Sequence, residues 1–333
     1  MSGIICENLS KTYKDESRKA LDSVSFSVPN SGIFGLIGRN GAGKTTLVRI
    51  LATELLPSSG SASINGLDVI TEAEEIRKNI AIVPQEARPI PWMTPNQTVL
   101  SYLLWRGFDY LEAKAQATEY LALVGLQEKE HTLNRMLSGG MKRKLMVATV
   151  LASEANIIFL DEPTTGLDPL SRREFWKLLK EICREHFIFL TTHYLEEAEE
   201  LASTIGILDQ GQMKGVDSLD GLRALLKCPY SIRVEYSSGA EQILHSCTSK
   251  EIVHRGSQLR LLTTESEALA IAQALLDRHQ KVWMEPVSLE DIFLHFVQNG
   301  NGISLTAAVS SAPLSSSMPS MRCRTILLCS STR

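Results

Sequence analysis

The chain has 333 residues, 44% hydrophobic and 22% charged, so it can bury a full-sized core and is long enough for two domains. Thirty-four Lys and Arg against 38 Asp and Glu leave a net charge of −4, which gives no global electrostatic reason to bind nucleic acid. No apolar run approaches the roughly 20 residues that cross a bilayer. The opening Met-Ser-Gly-Ile-Ile-Cys-Glu lacks the basic region of a signal peptide. Six cysteines, at positions 6, 183, 228, 247, 323 and 329, form no CxxC pair and suit reduced thiols. These features predict a cytoplasmic chain whose membrane role, if it has one, comes through a partner.

From residue 1 to about 226, short β-branched runs alternate with amphipathic stretches across Gly-rich turns. That pattern predicts an α/β unit with a largely parallel sheet. An apolar strand over 33–37 runs into Gly38-Arg39-Asn40-Gly41-Ala42-Gly43-Lys44-Thr45-Thr46, and a helix is expected over 46–53. This is the G-x-x-x-x-G-K-[ST] spacing of a phosphate loop between strand and helix. Its backbone at Gly38, Asn40, Gly41 and Gly43 closes around phosphate oxygens because glycine puts no Cβ in the way. Lys44 reaches the β- and γ-phosphates, the Thr45 hydroxyl ligates Mg²⁺, and Thr46 lies in the first helical turn, whose dipole end faces the anion.

Further along, strand signals vanish over about 87–140 and Leu100, Leu103, Leu104, Ala115, Tyr120 and Leu123 fall at helical spacing, predicting a helical insert. A strand over 157–160 ends in Asp161-Glu162, two carboxylates at the edge where α/β sheets bind ligands. Asp161 suits Mg²⁺, and Glu162 suits the polarisation of an attacking water. A strand over 187–190 leads to Thr191-Thr192-His193. Lys227-Cys228-Pro229 marks a break, after which 230–298 carries strand signals over 231–236 and 258–262 and helix signals over 267–276 and 289–296, a small α+β domain. Residues 299–333 contain no acid and a Ser/Pro/Ala run, which predicts a disordered tail.

Those features alone define a P-loop NTPase. Leu137-Ser138-Gly139-Gly140-Met141 narrows the class, because it resembles the signature motif of the ATP-binding cassette (ABC) ATPases. The resemblance implies ATP and Mg²⁺ as ligands and a P-loop NTPase fold with a helical insert. It also implies that Ser138, Gly139 and Gly140 cover the nucleotide of a second cassette, with a homodimer favoured over a heterodimer. Tyr13 matches the aromatic that stacks on adenine, and Gln85 the loop glutamine that ligates Mg²⁺. Asp168, in Gly166-Leu167-Asp168, matches the loop that crosses to the other subunit, and His193 the histidine at the γ-phosphate. Met141 stands where most members carry Gln, and Arg39 replaces a frequent Pro at a variable loop position.

Pro286-Val287-Ser288-Leu289-Glu290-Asp291-Ile292-Phe293-Leu294 resembles the C-terminal segment of ABC-2 and drug-resistance exporter cassettes. From the residues themselves, Ser288 caps a helix whose Leu289, Ile292, Phe293 and Phe296 share one apolar face. The implied function is the ATP-hydrolysing subunit of an ABC transporter, of ABC-2 export type, at the cytoplasmic face of a membrane beside a separate permease. Ile90-Pro91-Trp92-Met93 and Leu103-Leu104-Trp105 supply either a permease docking surface or the core of the insert. The rival is a soluble ABC ATPase on ribosomes or nucleic acid. No heptad run separates Lys44 from Ser138 and no basic stripe is visible, which weighs against it.

Overall fold

The computed structural model describes residues 3–14, 18–247 and 252–298; the tail expected over 299–333 lies outside them. The described chain divides into two compact units that part between Ser218 and Leu219.

The first unit begins with β1 (Gly3–Thr12), β2 (Lys19–Pro29) and β3 (Ile33–Ile37). Next come α1 (Lys44–Leu51), β4 (Ser59–Ile64), β5 (Leu67–Asp68), α2 (Ala73–Asn79) and β6 (Ile80–Val83). The insert carries α3 (Pro95–Arg106) and α4 (Tyr110–Leu123), and α5 (Gly139–Leu151) leads out of it. The unit closes with β7 (Ile157–Asp161), α6 (Pro169–Ile182), β8 (Phe187–Thr192), α7 (Leu195–Leu201), β9 (Thr204–Asp209) and β10 (Gln212–Asp217).

Six of these strands form a sheet in the order β10-β9-β3-β8-β7-β6, parallel except for the hairpin strand β10. Its central strands β3, β7 and β8 are buried throughout, and apolar up to their C-terminal ends, because both faces are covered. Ile158, Leu160, Ile188 and Leu190 face the insert helices together with α5 and α6. Ile157, Phe159, Phe187 and Phe189 face α1 and a second sheet. That second sheet, β2-β1-β4-β5, is antiparallel, and the parallel-sheet expectation did not include it. The reason is readable in β2, where buried Val24, Phe26 and Val28 alternate with serines. Such period-2 alternation belongs to a strand with one buried face.

The second unit holds α8 (Leu219–Ala224), β11 (Tyr230–Glu235), α9 (Ser238–Cys247), β12 (Ile252–Arg255), β13 (Gln258–Thr263), α10 (Glu265–Leu276), β14 (Val282–Pro286) and α11 (Leu289–Gln298). Its antiparallel sheet, ordered β12-β13-β11-β14, has the split β-α-β-β-α-β topology. Ile232, Val234, Leu259 and Leu261 pack against Ile243 and Leu244 of α9 and Ile271 and Leu275 of α10. The break read at 227–229 falls inside this unit. Helix α8 belongs to it because α8 packs on α11 and Arg223 Nε donates to the Val287 carbonyl at 2.9 Å.

Candidate active site

Strand order places the chemistry. β3, β8, β7 and β6 are parallel neighbours, so their C-terminal ends lie side by side. From those ends emerge the 38–43 loop, His193, Asp161-Glu162 and Gln85 in turn. No sequence-local rule brings the four together; the sheet does.

The 38–43 loop is glycine-rich for two separate reasons. A Cβ on Gly38 would stand 2.3 Å from the Leu208 carbonyl oxygen, and one on Gly43 2.4 Å from that of Ala20. A Cβ on Gly41 would meet nothing within 4 Å, so its bare backbone borders an open cleft of about 360 Å³. No side chain caps α1, which leaves its first N–H groups for an anion. The cradle suits a phosphate chain.

Lys44 and Glu162 are more than nine-tenths buried, although both carry charge. Lys44 Nζ donates to the carbonyls of Gly38 at 2.9 Å and Arg39 at 3.3 Å and pairs with Glu162 Oε1 at 3.2 Å. Glu162 Oε2 accepts from Gln85 Nε2 at 3.2 Å and Thr165 Oγ1 at 3.3 Å, and meets His193 Nδ1 at 3.0 Å. The Glu162 backbone is left-handed, with φ 46°, a strained conformation for a side chain of this size. Its N–H is held by both the hydroxyl and the carbonyl of Thr191, which fixes the turn.

Thr191 Oγ1 also donates to Asp161 Oδ1. Thr191 and Thr165 were not among the expected site residues. The only signal for Thr191 was its place two residues before His193. Arg143, on α5, is a further omission: Nη2 donates to the Gln85 carbonyl at 2.6 Å and so holds the glutamine loop. Burial draws the Arg143 guanidinium below its ordinary range, with Arg88 adding to the effect.

Tyr13 lines the cleft, its hydroxyl 3.2 Å from Thr46 Oγ1, and Asn40, Thr45 and Thr46 line it too. Thr45, Gln85 and Asp161 offer a hydroxyl, an amide oxygen and a carboxylate, the hard oxygen donors that Mg²⁺ takes. Gly38, Asp161 and His193 are not among the residues lining this cleft, His193 reaching it through Glu162, and neither are Ser138, Gly139, Gly140 and Asp168. The last four lie apart from it. They gather elsewhere: a Cβ on Gly140 would lie 3.0 Å from Ser171 Oγ, and one on Gly139 4.0 Å from Leu167. Ser138 caps α5 by accepting from Met141 N at 3.2 Å, and Asp168 caps α6 through Leu170 N and Ser171 N. The insert divides its aromatic and apolar residues: Leu103 is core, whereas Ile90, Trp92, Leu104 and Trp105 are exposed.

The sheet order and the converging cleft define a P-loop nucleotide-binding cassette. The ABC transporter family profile matches residues 21–165. The daunorubicin resistance ATP-binding protein DrrA3 of Streptomyces coeruleorubidus is 33% identical over 306 residues, covering 88% of this chain and 95% of that protein. Human ATP-binding cassette sub-family A member 2 is 37% identical over 212 residues, and the matched region spans only 9% of its length. For the A family member 9 of Dictyostelium discoideum, 31% identical, the matched share is 37%. The chain thus spans well under half of these larger relatives. Among solved structures, cbiO1 of Clostridium perfringens, part of the ABC transporter complex cbiONQ, shares the fold. Its TM-score is 0.62 at 24% identity, over 68% of this chain and 92% of that one. An ATP-binding cassette solved as a dimer in a post-hydrolysis state with ADP and phosphate gives 0.59 at 25%, over 65% and 98%. The chain belongs to the ABC transporter ATP-binding family.

Proposed function

We propose that this chain binds and hydrolyses ATP as the nucleotide-binding subunit of an ABC exporter, working as a pair of cassettes beneath a separate membrane permease. The observation that carries the hydrolytic part is Glu162. Its carboxylate is buried, anchored by Lys44 on one oxygen and by Gln85, Thr165 and His193 on the other, and set at the edge of the cleft beside the phosphate loop. A carboxylate so held is oriented to accept a proton from a water. Lys44 has the charge and reach to hold the terminal phosphates, and Tyr13 the ring to stack on a base. Thr45, Asp161 and Gln85 would hold Mg²⁺, which supplies charge neutralisation to the phosphate chain.

Placement of Ser138, Gly139, Gly140 and Asp168 away from the chain's own cleft supports their use on a second cassette, where the α5 N-terminus presents N–H groups to an anion. Exposed Ile90, Trp92, Leu104 and Trp105 suit docking against a permease at the cytoplasmic face of a membrane. No helix among the described residues is long and apolar enough to cross a membrane. The likeness to DrrA3 over nearly its whole length supports export.

The test is analytical ultracentrifugation of Glu162→Gln with and without Mg-ATP. A shift from monomer to dimer on adding nucleotide is expected, since each cleft is completed by the other chain. A monomer at saturating nucleotide contradicts pairing of identical cassettes.

A further inference from the structure

His193 meets Glu162 through a single side-chain contact and is partly exposed, so its ring needs something to hold it. The residue that follows it does this. The Tyr194 ring lies against the His193 ring, centroids 4.1 Å apart, and the Arg172 guanidinium sits 4.1 Å over the other part of the stack, on the Tyr194 ring. Arg172 Nε is buried without a hydrogen-bond partner, and the guanidinium lies between the Tyr194 face and the nearby carboxylate of Glu197. The Tyr194 backbone is fixed as well, its N–H donating to Thr192 Oγ1 at 2.9 Å.

The other end of the stack reaches the loop ending in Asp168. Arg172 is one turn into α6, and its N–H bonds to the Asp168 carbonyl at 2.9 Å, while the Asp168 carboxylate caps the same turn. Behind the stack, Trp176 of α6 donates to fully buried Glu197 of α7 at 3.0 Å, locking α6, which carries Arg172, to α7, which Tyr194 immediately precedes. A continuous row of contacts thus runs from Asp168 through Arg172, Tyr194 and His193 to Glu162.

We infer that Arg172 and Tyr194 are positioning residues that hold His193 against Glu162 and make that contact depend on the placement of the 166–168 loop. The inference rests on the ATPase reading above. It gives the loop a role within its own chain: a second cassette seated on it would shift the first turn of α6, and with it the cation that pins the ring. Neither residue touches the nucleotide cleft, so they act on turnover and not on binding.

The experiment uses the full chain, with steady-state phosphate release and Mg-ATP titration on Tyr194→Leu, Tyr194→Phe, Arg172→Met and the Lys44→Ala background. Tyr194→Leu should lower kcat about tenfold with KM within about twofold, since only the orientation of His193 is lost. Tyr194→Phe keeps the ring and should recover most of that rate. Arg172→Met should lower kcat about threefold at unchanged KM. If Tyr194→Leu does not fold, Arg172→Met and Tyr194→Phe decide alone. An unchanged kcat in Arg172→Met, a Phe variant as poor as Leu, or a loss confined to KM each overturns the inference. Wild-type release no higher than that of Lys44→Ala overturns the ATPase reading and the inference with it.

Discussion

Each unit of the molecule buries a pair of opposite charges, and the two pairs are built differently. In the second unit, Arg260 and Asp291 form a closed circuit. Asp291 Oδ2 takes Arg260 Nη2 together with the Ser288 N–H at 3.0 Å and hydroxyl at 2.7 Å, and Arg260 Nε donates to Ser231 Oγ at 2.8 Å. These partners all lie inside the same unit, and the circuit joins α11 to the sheet. In the first unit, the Lys44–Glu162 pair is just as buried but opens on a cleft. Besides Lys44, Glu162 draws donors from Gln85 and His193 on two other stretches and from Thr165 in its own turn, and its backbone is strained. Burial of charge alone does not mark function. Burial beside an open cradle, with strain, does.

The comparison breaks most sharply under Lys44→Ala. Phosphate release should fall about a thousandfold, because the cleft loses its buried cation, while the melting temperature falls less than in Arg260→Met, because the freed Glu162 borders an open cleft and keeps Gln85, Thr165 and His193. Nucleotide titration and thermal melts check both halves; a large loss of stability with binding intact would reverse the assignment. Arg260→Met should do the opposite. Removing one partner of a closed buried pair costs about 3–5 kcal/mol of the second unit's stability, read by denaturant melts, with phosphate release near wild type. A variant that melts normally would mean that the circuit is decorative.

Glu197 sharpens the contrast through pH. Burial pushes its carboxyl above the ordinary range, outweighing the bond from Trp176 and the nearby Arg172. A raised acid binds its proton more tightly in the folded chain than in the unfolded one. It therefore opposes folding above its folded value, and that opposition fades as pH falls. Glu197→Gln should raise the melting temperature at about pH 8, with the gain shrinking toward about pH 5. A gain that grows on acidification would contradict the burial argument. The smallest effect belongs to Thr94→Ala, which removes the capping box on α3, where Thr94 and Gln97 bond reciprocally. It should cost about 1 kcal/mol in denaturant melts and leave nucleotide binding unchanged.

Much of the site was legible because the chemistry is written locally. The phosphate loop needs glycines beside a lysine, and the carboxylates must end a strand, so both carry their own spacing. What was not legible depends on assembly. Arg143 becomes a site residue only once β6 and α5 are neighbours, and nothing in its own surroundings says so, whereas Thr165 lies in the same turn as Glu162 and was within reach of a local reading. The antiparallel sheet was visible in Val24, Phe26 and Val28, but the stronger alternation of strands and helices masked it. Leu103 and Trp105 were equally apolar in sequence. Two positions apart on α3, they point to different faces, and only packing decides which is core. The unit boundary was read at a proline because proline breaks chains, whereas the actual seam precedes α8, whose partner α11 lies some 65 residues downstream.

The central claim is that Glu162, held by Lys44, Gln85 and His193, is the group that activates water. The measurement that tests it most directly is paired equilibrium binding of Mg-ATP and single-turnover phosphate release on wild type and Glu162→Gln. Binding should stay within about threefold, since an amide of the same shape fills the same space, while release should fall at least about a hundredfold, since an amide cannot take the proton. Release at the wild-type rate with binding intact would contradict the account and move the base to another residue.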